Sequence, residues 1–196
     1  MENKVLIVVD YQYDFASPEG ALYVPEAETI VDSIQNQIYD KSFTDIIYTM
    51  DTHDSTYNSS EESKLFPRHC EFNSRGWDLY KINPRNRETK IIIESGVMES
   101  PKDFSVNREF VFMKDQFSIW DGNDNYERFF QEKFPKNTPI YIVGVATNYC
   151  VFKNAMGYIS RGYTNVNIIE NCTKGIRDDS FDKNINIMKN RNIKFI

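Results

Sequence analysis

Residues 139–151 read "PIYIVGVATNYCV", and the fold turns on how this stretch divides. The run 139–145 is apolar and rich in β-branched side chains, with no polar alternation. That is the pattern of a strand buried on both faces. "ATNYC" follows at once, and from residue 148 to 160 the apolar positions recur at helical spacing and end near Gly162. A buried strand that runs directly into a helix is half of a parallel βα unit, and it places Cys150 in the first helical turn.

The same alternation extends outward in both directions. "KVLIVV" (4–9), "TDIIYTM" (44–50), "EFVFM" (109–113), "NVNIIE" (165–170) and "IKFI" (193–196) read as strands. Helices are predicted over 25–40, opened by Pro25, over 125–134 and over about 178–190. Fully apolar strands alternating with helices predict a three-layer α/β/α architecture with a parallel sheet covered on both faces. Residues 54–110 fit this rhythm worst. They are polar and rich in Asn, Ser and Arg, and are predicted as long loops with one short strand at 90–93, the kind of loop that usually carries function or is disordered.

At 196 residues the chain is expected to form a single domain over 1–196 with a substantial core. A net charge of −6 and the lack of any basic run argue against a nucleic-acid partner or an anionic membrane surface. No stretch approaches the roughly 20 apolar residues of a membrane span. The N-terminal apolar run stops at Asp10, too short for a secretory signal. Three cysteines (Cys70, Cys150, Cys172) without C-x-x-C spacing predict free thiols in a reducing cytoplasm, where one thiol can be catalytic.

In open parallel sheets, ligands bind outside the carboxyl ends of the strands. The residues that follow the predicted strands are therefore informative. Asp10 follows the first and Asp51 the second, with His53 two positions on; Lys114 follows the third, and the turn containing Cys150 the fourth. Each has an ordinary reading: a turn-capping Asp, a solvated Lys, a small buried Cys. Together they give an acid, a cation and a thiol at one rim. A helix N-terminus can stabilise thiolate and lower the thiol pKa, and its N–H groups can hold an oxyanion. A neighbouring carboxylate can take the thiol proton and return it to a leaving amine. Cys70 and Cys172 lack such a setting and read as packing residues.

The two histidines of the chain, His53 and His69, both fall in the polar stretch after the second strand. Asp51 and His53 share a face of an extended chain. With His69 after "FPR" and Glu62 in "SSEES", they form an N/O donor set suited to Zn²⁺, Mn²⁺ or Fe²⁺ and unlike a thiolate zinc site. The alternative is two surface histidines in a polar loop.

With these residues in view, the chain resembles the isochorismatase-like cysteine hydrolases, and within them the nicotinamidases or pyrazinamidases. The resemblance rests on "VVDYQYDF", "GALYV", "DTHD", "ESKLFPRHC", "FMKDQFSIW" and "VGVATNYCV", in family order over about 1–80 and 108–172. It implies a six-stranded parallel sheet of order 3-2-1-4-5-6. It also implies hydrolysis of nicotinamide to nicotinate and ammonia, in NAD salvage, by a homo-oligomer. Asp10, Lys114 and Cys150 match the catalytic triad of that family, and the N–H groups of Ala146 and Cys150 its oxyanion hole, with a cis peptide before Ala146. Asp51, His53 and His69 match the ligands of one divalent ion, with Glu62 at a further ligand position of some members. That ion orients the pyridine nitrogen and is expected to leave the triad untouched. Phe15, Phe66 and Leu22 match substrate-binding positions. Asn148 departs from the family's usual Asp, and residues 81–107 match nothing in it. Other enzymes of the superfamily, acting on different amide, ureido or vinyl-ether substrates, and a non-catalytic binding protein remain as rival readings.

Overall fold

The computed structural model describes residues 3–54, 62–85, 91–93 and 109–196. Seven strands are β1 (Val5–Val9), β2 (Asp45–Asp51), β3 (Ile91–Ile93), β4 (Glu109–Lys114), β5 (Ile140–Val145), β6 (Val166–Lys174) and β7 (Lys194–Phe195). All pair in parallel, in the order β3-β4-β2-β1-β5-β6-β7. Without the short edge strand β3, which answers to the strand expected at 90–93, this is the six-stranded order 3-2-1-4-5-6.

The apolar strands sort their side chains by parity. Val5, Ile7 and Val9 enter one core with Phe110, Phe112, Phe130, Ile142 and Tyr158, whereas Leu6 and Val8 enter the other with Ile34, Ile38, Ile46 and Tyr48. Side chains alternate across a strand, so a fully apolar strand supplies both cores at once. Helices α3 (Ile119–Gly122), α4 (Tyr126–Lys133), α5 (Phe152–Ser160) and α6 (Phe181–Asn190) contribute to the first core. Helices α1 (Tyr13–Ala16) and α2 (Val31–Tyr39) contribute to the second.

The differences from expectation are local. The helix expected over 25–40 begins later, because Glu26 adopts a left-handed φ of 63° and Ala27–Ile30 form a 3₁₀ turn before α2. The helix expected over 148–160 starts as one π-helical turn, Thr147–Val151, and becomes α-helical at Phe152. The short helices α1 and α3 were not expected; four residues give too little periodicity to read. Among the described residues no helix is long and apolar enough to cross a membrane.

Candidate active site

Three neighbouring strands end together. Val9 is paired with Thr49, and Asp51 with Lys114, so the ends of β1, β2 and β4 deliver Asp10, Asp51 and Lys114 to one rim. All three side chains are buried. Lys114 Nζ lies 2.8 Å from Asp10 Oδ2 and 2.9 Å from Asp51 Oδ1, so one ammonium serves two carboxylates. Thr49 Oγ1 donates to Asp10 Oδ1 at 2.6 Å. Asp10 itself takes a left-handed φ of 46°, which turns the chain out of β1 and over the sheet edge.

Opposite Asp10, β5 brings in the thiol. Gly144 has a φ of 108°, and a Cβ there would sit 2.1 Å from the Val9 carbonyl oxygen, so only glycine fits this close approach to β1. The Val145–Ala146 peptide is cis, as the resemblance implied. Ala146 O accepts from the N–H groups of Tyr149 and Val151, closing the π turn that carries Cys150. The Cys150 side chain packs into the first core and faces the Asp10–Lys114 pair.

The electrostatics bear on how the thiol is activated. Burial pushes the Cys150 thiol well above its ordinary range, and although Lys114 pulls it down, the Asp10 and Asp51 carboxylates push it up again. Desolvation and the two anions thus oppose the thiolate that the helix start and the one cation favour. Burial likewise raises the Asp10 carboxyl, against the opposing pull of Lys114. Burial also acts to raise Asp51, but Lys114 and the two imidazoles prevail and hold it well below the usual carboxylate range. Burial alone would lower Lys114; Asp10, Asp51 and Cys150 reverse this and keep the ammonium well above its ordinary value.

Asp51 also meets both histidines. Its Oδ2 lies 2.9 Å from His53 Nε2 and 3.0 Å from His69 Nε2. The three side chains are buried and offer one donor atom each within 4.8 Å of one another. His69 Nδ1 is 2.7 Å from the Pro67 carbonyl, which can only accept, so Nδ1 carries a proton and Nε2 is the nitrogen turned toward Asp51. A ring nitrogen and a carboxylate facing each other in a buried site call for a proton or a cation between them. Oxygen and imidazole donors without a thiolate fit a divalent ion of the zinc type. Glu62 begins a short 3₁₀ turn, Glu62–Lys64, and its side chain lies outside the described residues. Asp51 also ties this group to the triad, because it shares Lys114 with Asp10.

Between Cys150 and the solvent is a narrow cavity of about 30 Å³. Phe15, Leu22 and Phe66, the expected substrate-binding positions, all line it, with Phe117, Tyr149 and Ile176 beside them. Phe15 packs edge-on to the His69 ring at 5.2 Å, so the wall of the slot is also the back of the imidazole. Phe66 meets Tyr149 and Phe117, each at 5.9 Å. Thr49, Phe117, Tyr149 and Ile176 were not singled out from the sequence. Thr49 had a legible signal, a small hydroxyl near the carboxyl end of a strand whose centre is apolar; Ile176 had none. Asn148, where the family usually has Asp, donates to Asp178 and Ser180 and accepts from Ile176 N–H, a bracing role outside the triad. Cys70 and Cys172 are buried and free, as expected of packing residues.

An open parallel sheet with a thiol, an acid and a lysine at its switch point defines a class of hydrolase-like folds, and the comparisons place the chain within it. The isochorismatase domain matches residues 4–196, and the chain belongs to that family. Among its relatives, the nicotinamidase of Saccharomyces cerevisiae is 29% identical over 90% of both chains. The pyrazinamidase of Pyrococcus horikoshii, solved in complex with zinc, is 27% identical with a TM-score of 0.75, covering 99% of this chain and 98% of that one. PnC1 from L. infantum, solved in complex with nicotinate, shares the fold with a TM-score of 0.76 at 22% identity, covering 100% and 92%.

Proposed function

We propose that this chain is an amidohydrolase that converts nicotinamide to nicotinate and ammonia, and acts on pyrazinamide as well, within NAD salvage. The observation that carries the reading is the buried chain of contacts from Asp10 through Lys114 to Asp51 and the two histidines, set beside Cys150 and an aromatic slot. A nicotinamidase relative and a zinc-bound pyrazinamidase of the same fold support it.

Asp10 takes the Cys150 proton as sulfur attacks the carboxamide carbon. Burial raises the Asp10 carboxyl, which strengthens it as the base that takes this proton. The tetrahedral oxyanion is held by the N–H groups of Ala146 and Cys150. Collapse breaks the C–N bond, and the amine leaves as ammonia with the proton from Asp10. Water then adds to the thioester, Asp10 takes its proton, and nicotinate departs as the thiol is restored. Lys114 keeps Asp10 charge-compensated through both halves. Asp51, His53 and His69, with Glu62 or water completing the set, would hold one divalent ion, Zn²⁺ in the first instance and Mn²⁺ or Fe²⁺ in its place. Bound there, the ion supplies a Lewis-acid contact that orients the pyridine nitrogen. Phe15, Leu22 and Phe66 contact the ring.

The chain acts in this reading as a single domain over 1–196. Its three free cysteines support a reducing cytoplasm, and the family resemblance supports a homo-oligomer. The test is a substrate panel: ammonia release from nicotinamide, pyrazinamide and ureido acids, and pyruvate release from isochorismate. Nicotinamide and pyrazinamide should be preferred, and Cys150→Ala should abolish turnover while leaving the circular dichroism spectrum intact. Preference for the last two substrate groups, or substantial turnover by Cys150→Ala, would overturn the assignment.

A further inference from the structure

The segment that follows Asp10 carries two more polar side chains at alternate positions, Gln12 and Asp14. Neither touches the reacting atoms. Each reaches the backbone at or next to a residue of the Asp51–His53–His69 group. We infer that Gln12 and Asp14 are positioning residues that hold this group in register, an inference that rests on the group binding a divalent ion.

The argument begins where β1 stops. The last backbone bond from β1 to β2 runs from Asp10 N–H to Thr49 O, at 3.1 Å. Residues alternate along a parallel strand, so Asp51, like Thr49, turns both its N–H and its C=O toward the β1 side. The strand that should meet them has already turned away at the left-handed Asp10. The side-chain amide of Gln12 takes the missing place. Its Oε1 accepts from Asp51 N–H at 2.7 Å, and its Nε2 donates to Asp51 O at 2.8 Å and to Trp77 O at 3.0 Å. An amide offers the same donor and acceptor as a peptide group, so it can continue the ladder by one rung. Gln12 is fully buried and these bonds use both of its amide hydrogens.

Asp14 does the corresponding work on the other side of the group. Its Oδ2 accepts from Cys70 N–H at 2.7 Å, and its Oδ1 from Ala21 N–H at 3.1 Å. Cys70 has a left-handed φ of 47°, a conformation an L residue holds only when its surroundings impose it. Fixing that N–H fixes the peptide that follows His69. A Cβ on Gly76 would lie 2.1 Å from Asp14 Oδ2, so glycine leaves the carboxylate its room. Together, Asp10 serves the thiol, Gln12 serves Asp51, and Asp14 serves His69, all from five consecutive residues.

The test compares the full-length wild type with Gln12→Met and Asp14→Asn. The readouts are zinc affinity by chelator competition, the visible spectrum of the Co²⁺-loaded protein, and Cys150 alkylation in metal-stripped samples. Gln12→Met removes three bonds and should weaken zinc by about 10- to 100-fold, the range for partners behind a metal ligand, and should shift the Co²⁺ bands. Asp14→Asn keeps one acceptor oxygen and should weaken zinc less. Alkylation of Cys150 should match the stripped wild type in both. Should Gln12→Met fail to fold, Gln12→Glu keeps the acceptor for Asp51 N–H but loses the donor, and the same weakening is expected of it. Wild-type zinc affinity and an unshifted spectrum would overturn the inference, as would affinity and alkylation changing in proportion. A wild type that takes up no zinc would overturn the metal assignment itself, and is told apart because only then does the unsubstituted chain fail.

Discussion

Along the ends of β1, β2 and β4, Asp10, Asp51, His53, His69 and Lys114 are buried against one another, whereas the slot facing Cys150 is walled almost wholly by carbon. The charged rim is rigid by necessity, since Asp10, Asp51 and Lys114 are out of water and tolerable only because each has its partner 2.8–2.9 Å away. The slot carries no such obligation. Its rings come from α1, from the segment after β2, from the turn before α3 and from the π turn, so substitutions there change fit without unpairing a charge. One region sets the chemistry, and the other sets what reaches it.

Lys114→Met should break the contrast most severely. It leaves Asp10 and Asp51 buried without their shared cation, a loss of about 3–5 kcal/mol that corresponds to a drop of roughly 6–20 °C in melting temperature. Without the ammonium, the Asp10 carboxyl, already raised by burial, should have a folded pKa still further above its unfolded value. A group raised in this way favours the fold below its unfolded pKa and loses that contribution as pH rises. The deficit against wild type should therefore grow from acid to neutral pH, as thermal melts of metal-free protein at pH 4 and pH 7 can measure. Amidase turnover should fall by about 10³-fold, within the range for a disabled general base. A deficit below about 1 kcal/mol, the value of an exposed pair, would show that the rim is not bound by buried charge.

His53→Ala separates the two functions of the rim. It removes one donor from the metal group but leaves Asp10, Lys114 and Cys150 with their contacts. Metal content should drop and turnover should fall by about 100-fold, the scale of a substrate displaced by ~1 Å. Cys150 should still be alkylated at the rate of metal-stripped wild type. A variant that retains metal and activity would mean that His53 is an ordinary buried histidine.

The rim was largely legible in the sequence, and the reason is geometric. Four apolar strands can be read from composition alone, and a parallel sheet brings their carboxyl ends together, so the sequence pattern itself places Asp10, Asp51, Lys114 and the Cys150 turn on one edge. What could not be read was which groups touch. That Lys114 bridges Asp10 and Asp51 depends on the register of β2 against β4, which no strand pattern specifies. Gln12 was invisible for a related reason: its role follows from where β1 stops, a matter of one residue's φ. The slot was harder still. Phe15, Leu22 and Phe66 came only through family resemblance, and Ile176 sits on a loop whose path depends on Asn148 and Asp178.

The protonation of Cys150 sharpens the comparison further. The sequence favoured a stabilised thiolate, whereas burial and two carboxylates hold the thiol well above its ordinary value. Only thiolate reacts with iodoacetamide, so in metal-stripped enzyme the rate at Cys150 should still climb about tenfold per pH unit between pH 7 and pH 9. Mass spectrometry of the Cys150 peptide can follow it apart from Cys70 and Cys172. A rate that levels off below pH 8 would indicate a resting thiolate, and the helix start would then outweigh the desolvation.

The smallest effect belongs to the slot's outer support. Tyr149 turns its ring into the cavity, edge-on to Phe66 at 5.9 Å, while its hydroxyl donates to Asp178 Oδ2 at 2.6 Å. Asp178 is exposed and also braces Asn148 and Ser180, which keeps the turn before α6 against the π turn. Tyr149→Phe keeps the ring and its packing and deletes one hydrogen bond to a solvated carboxylate. Substrate fit should loosen while the thiol, Asp10 and Lys114 stay as they are. KM for nicotinamide should rise by roughly two- to fivefold, the scale of one net hydrogen bond, with kcat unchanged. Tyr149→Ala removes the wall itself and should raise KM further. Steady-state kinetics on the two variants decides the matter: a fall in kcat for Tyr149→Phe would place the tyrosine hydroxyl on the chemical side of the site and dissolve the division between charged rim and carbon-lined slot.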